Sequence, residues 1–70
     1  MKIGMLWFDN SQDSFAIKCN RAIDYYQRRY GYAPTTIYVH TATAIEEIPN
    51  VAIVTSKSIL PNHFWVGKEK

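Results

Sequence analysis

The chain has 70 residues, 47% of them apolar, with 8 Lys+Arg against 6 Asp+Glu and a net charge of +2, which excludes both a multidomain protein and a disordered one. Cys19 is the single cysteine, so no intramolecular disulfide can form, and a reducing, cytoplasmic setting is expected rather than a stapled secreted scaffold. No apolar run approaches the ~18–20 residues that span a bilayer, and the opening run stops at Asp9, too short for a signal-peptide core.

Residues 2–8 form a continuous apolar run with Gly4 inside it, which predicts a strand buried on both faces. Strand parity points Ile3, Met5 and Trp7 one way and Gly4, Leu6 and Phe8 the other. Residues 9–14 (DNSQDS) are a polar break made of helix-capping residues. A helix is predicted from Asp13 or Ser14 to Tyr30. On it Phe15, Cys19, Ala22, Ile23, Tyr26 and Tyr30 fall on one stripe about 100° wide. Gly31 can take the left-handed conformation that ends a helix, and Pro34 forbids continuation.

Residues 35–41 (TTIYVHT) are β-branched and aromatic and predict a second strand. Residues 42–50 read as a helical turn or a loop, broken at Pro49-Asn50. Residues 51–55 (VAIVT) predict a short, fully apolar third strand. In residues 59–66 a Pro61-Asn62 turn precedes a possible short edge strand, and residues 68–70 are a charged tail.

Strand–helix–strand is a crossover unit, so the first two strands are expected to be parallel. The predicted fold is one α/β (or α+β) domain over residues 1–70. Its sheet has three or four mostly parallel strands, with one long helix on one face. One helix covers one face, yet two strands are apolar on both. A core below roughly 70–80 residues also rarely supplies more than ~3–5 kcal/mol unaided. The other face must then be covered by residues 59–66 or by another chain. Self-association through the apolar sheet face is expected, with Trp7, Tyr38 and Trp65 as its candidates.

No motif assigns a chemistry. The three glycines are too scattered for a phosphate-cradling loop, no paired cysteines or His-Glu-x-x-His exist, and no Gly-x-Ser-x-Gly elbow occurs. Neither a cofactor nor a metal site is implied. A βαββαβ RNA-binding module is not supported either, because its second helix is missing or reduced to residues 44–48. The expected role is a small non-enzymatic interaction or accessory module acting as a homo-oligomer.

Two further constellations carry alternatives. If the strands are parallel, Asp9 and His40 share the carboxyl edge of the sheet with Asn10, Ser11 and Ser14. A small enzyme or an anion or metal site is then conceivable there, with Ser11, Ser14 and His40 as anion ligands and His63 as a third metal ligand. Capping explains the same residues. On the helix, Lys18, Arg21, Arg28 and Arg29 flank Tyr25, as a weak nucleic-acid contact would require. A solvated helix face with an Asp24–Arg28 pair explains them equally. Cys19 reads as a buried, unreactive thiol.

Overall fold

The computed structural model describes residues 3–68, and its helix begins where the polar break ends. Ser14 is the N-cap: its backbone is extended and its hydroxyl accepts the Ile17 amide at 3.3 Å. From there α1 runs Phe15–Tyr30 and stops at Gly31, whose φ of 82° is left-handed and whose amide donates to the Gln27 carbonyl. Phe15, Cys19, Ala22 and Tyr26 are buried, while Ile23 and Tyr30 pack against them partly exposed. Met1, Lys2, Glu69 and Lys70, and with them the expected side of the Ile3 side chain, lie outside the described residues.

Four strands make one sheet: β1 (Ile3–Phe8), β2 (Thr36–His40), β3 (Ala52–Ser56) and β4 (His63–Lys68), in the order β1-β4-β2-β3. Only β2 and β3 pair in parallel, and β4 runs antiparallel to both of its neighbours. The α+β class therefore holds, but the expected mostly parallel sheet is corrected to a mixed, mostly antiparallel one. The reason is the length of the last connection. A parallel return needs a dozen or more residues, and residues 57–62 can only turn the chain back. The supposed edge strand thus becomes central, with Phe64 and Val66 buried. The third strand, read as apolar on both faces, is instead an edge on which Ala52, Val54 and Thr55 are exposed.

Residues 42–50 hold no helix; they carry the crossover from β2 to β3. Ile48 in this segment is buried in the same core as Phe15, Tyr26, Ile37 and Phe64. The helix and this segment therefore cover the same side of the sheet. Both crossovers step in one direction across it, and a common right-handed sense puts two such steps on one face. Among the described residues no helix or strand covers the other face, and only the connection from β3 to β4, through Ser58 and Ile59, reaches it beside Tyr38 and Trp65.

Candidate functional site

The pairing register arranges the bare face in three rows of four residues. The first row holds Phe8 beside His63 and His40 beside Ser56; one further step of the β2–β4 register joins these two pairs. The middle row is Leu6, Trp65, Tyr38 and Val54. Gly4, Gly67, Thr36 and Ala52 make the last. No Asp, Glu, Lys or Arg stands at any of these positions.

The face carries no formal charge and is open to solvent in part, with Thr36 and Gly67 buried. Leu6 is 57% exposed, Phe8 55% and Val54 38%, and Leu60 beside the sheet is 64% exposed. Tyr38, Trp65, Ile59, Ser56 and Ser58 line a shallow cleft of about 300 Å³ over β2 and β4. Gly4 is required here by close approach: a Cβ would stand 2.8 Å from the Val66 carbonyl oxygen and 3.0 Å from the Trp65 indole. Its missing side chain lets the indole lie across β1.

Both histidines of the first row are anchored through Nδ1. The Ala42 amide donates to His40 Nδ1 at 3.0 Å, so neutral His40 carries its proton on Nε2. His63 Nδ1 donates to the Pro61 carbonyl at 2.8 Å, and its ring lies 4.9 Å from that of Phe8. No group of three or more His, Cys, Asp or Glu side chains among the described residues is placed to hold a metal ion.

The structure separates the other expected partners. Trp7 lies on the helix side, packed against the core with its ring 5.4 Å from Tyr25, so of the three aromatic candidates only Tyr38 and Trp65 reach the bare face. Asp9 and His40 do share one end of the sheet, but β4 stands between their strands. Asp9 turns instead toward the helix. One carboxylate oxygen accepts the Ser11 amide at 3.0 Å and the other accepts from Arg21 at 3.2 Å. Arg21 also donates to Asp13, and Ser11 Oγ accepts the Asp13 amide. Ser11, chiefly, and Arg21 hold the Asp9 carboxyl below its ordinary pKa against the opposing effect of burial. Ser14 caps, Ser11 belongs to this knot, and His40 is on the far side, so the three proposed anion ligands do not converge.

The basic flank is only partly available. Two carboxylates offset Arg21, Arg28 pairs with Asp24 at 3.0 Å, and Arg29 stacks 5.8 Å from the Tyr30 ring. Tyr25, Arg28 and Arg29 line a second open cleft, with Arg21 and Lys18 further along the helix. Cys19 is fully buried, and burial, followed by Glu46, pushes its thiol up to about 12.

Leu6 and Phe8 enter the sequence reading only as part of a strand apolar on both faces, and nothing in the sequence singles out Leu60 as exposed. No helix among the described residues is long and apolar enough to cross a membrane. No family model, curated protein or solved structure matches this chain.

Proposed function

We propose that the chain is a small non-enzymatic interaction module that works by associating with itself through the bare face of its sheet. One observation carries this reading: twelve adjoining positions hold no formal charge while Leu6, Phe8 and Val54 remain 57%, 55% and 38% exposed. An exposed apolar patch of this kind marks a contact surface, and charge is what the cores of such surfaces lack. The cleft beside Trp65 and Tyr38 adds an aromatic-lined recess of the sort in which binding energy concentrates.

Light scattering tests it. The native chain is expected to exceed its 8.1 kDa mass at high micromolar concentration, and a monomer throughout overturns the reading. Val54→Lys places a charge in the middle row without touching the core, and is expected to lower the mass of the native assembly. An unchanged mass would remove the face as the contact.

A second reading is weak nucleic-acid association along the helix, favoured by the cleft that Tyr25 shares with Arg28 and Arg29. It predicts non-specific binding that weakens with a log–log salt slope of roughly −0.7 to −0.9 per phosphate contact. Retention unaffected by salt, or by charge reversal at Arg28 and Arg29, removes it.

A further inference from the structure

The bare face is not the only unsatisfied surface. β1 is an outer strand, and which of its backbone groups face outward follows from one hydrogen bond. The Asp9 amide donates to the Asn62 carbonyl at 3.0 Å, one step beyond the Phe8–His63 pair. Antiparallel pairs alternate between hydrogen-bonded and non-bonded. Met5 and Trp7 are therefore bonded to β4, and Gly4, Leu6 and Phe8 direct their three amides and three carbonyls away from the sheet. Natural edges are normally blunted by charge, proline or a bulge. Along Gly4–Phe8 there is no charge and no proline, and the register with β4 is unbroken.

We infer that β1 pairs antiparallel with β1 of a second copy about a two-fold axis at Leu6, joining two sheets into one of eight strands. The inference deepens the self-association proposed above and rests on it. Self-pairing is favoured over capture of another strand because this register satisfies both copies at once. With Leu6 opposite the second copy's Leu6, each Phe8 falls opposite a Gly4, and every outward amide meets an outward carbonyl. The bulkiest side chain that β1 adds to the bare face then stands where its partner has none, beside the Trp65 indole that already overlies Gly4. An axis normal to the sheet also keeps both bare faces on one side, so the exposed Leu6 and Phe8 of the two chains form one apolar strip. The opposite edge offers less. The Ala52 amide donates inward to β2, which leaves only Ile53 and Thr55 directed outward on β3.

Hydrogen exchange and light scattering on Val54→Lys, which alters the face three strands away from β1, test this contact. The expected result is an assembly of twice the chain mass, in which the Gly4, Leu6 and Phe8 amides exchange at least about tenfold more slowly at high than at low protein concentration. Leu6→Pro removes one outward amide and no bond to β4, and in the same background it is expected to give monomers. If Leu6→Pro does not fold, the amide rates of Val54→Lys decide alone. A Val54→Lys monomer beside an associating native chain overturns the edge contact and leaves the face reading standing. An assembly of unchanged mass with protected edge amides keeps the edge and removes the face. A native chain that stays monomeric overturns both.

Discussion

Cys19 shows how a single side chain is governed by where the helix turns it. It lies at the centre of the buried stripe, and its thiol is raised to about 12 by burial first and Glu46 second. Unfolded, the same thiol ionises near ~8.5. The folded chain therefore keeps its proton where the unfolded chain has lost it, so this contribution is complete below about pH 8.5 and declines as the pH rises toward 12. Tyr26, also pushed up to about 12 by burial and then by Tyr32, adds to the decline above about pH 10. Cys19→Ala is expected to cost on the order of 1 kcal/mol at neutral pH, since a small buried group is lost and no polar partner is orphaned. Urea midpoints at rising pH should fall less steeply in the variant than in the native chain. Rapid labelling of the native protein by a thiol reagent would contradict the buried placement.

Among the elements, the turn before α1 is fastened by side chains rather than by a packed core. Arg21 reaches back one and a half turns to Asp9 and Asp13, and Ser11 joins the two carboxylates. The lowered Asp9 pKa means that its stabilisation is present above the ordinary carboxylate value of 3.8 and is lost as the pH falls through the folded value. Arg21→Ala is thus expected to lower Tm at neutral pH by no more than about 5 °C, because exposed pairs are individually weak. Near pH 3 the difference should shrink, and a gap that widened in acid would show that Arg21 acts otherwise. That knot was not legible in the sequence, since twelve positions separate Asp9 from Arg21. The helix was, because each of its signals is local: Ser14, the stripe at 3.6 spacing, Gly31 and Pro34. Strand existence was legible for the same reason. Strand order was not. Nothing local in residues 63–68 says that they enter between β1 and β2, and so neither the antiparallel sheet nor the placing of His40 and His63 on neighbouring strands could be read. Apolar content likewise does not tell an edge such as β3 from a buried strand. Parity groups Leu6 with Phe8, and of the three aromatics that the composition singles out, Tyr38 and Trp65 lie on the bare face and Trp7 on the helix side.

At the scale of the whole molecule, the charged strand and helix residues lie on one side of the sheet, while exposed apolar residues occur on both, Leu6, Phe8 and Val54 on the bare face and Ile17, Tyr25 and Ile45 on the helix side. The helix side carries Arg21 and Arg28 with their carboxylate partners and Arg29 beside the Tyr30 ring, and on the other side no described strand position holds Asp, Glu, Lys or Arg. A domain this small keeps only a few kcal/mol in reserve, ~3–5 by the usual scale. Its surface is 4615 Å², so a standard contact of roughly 800 Å² per partner would cover about a sixth of it. Under the proposed self-association, stability and association are linked, because a second copy would bind the folded chain and not the unfolded one. For a dimer unfolding to monomers, each tenfold rise in concentration adds about 0.7 kcal/mol per chain, or roughly 3–5 °C in Tm for a domain of this size, and a larger assembly gains more. That rise is expected in thermal melts over about a hundredfold range of concentration, and it should be absent once Leu6→Pro and Val54→Lys are combined. Added salt should leave it intact, since no ion pair is available on the contacting side and screening acts on charges. A Tm independent of concentration would remove the linkage. A dependence that salt abolished would instead move the contact to the arginine-bearing helix.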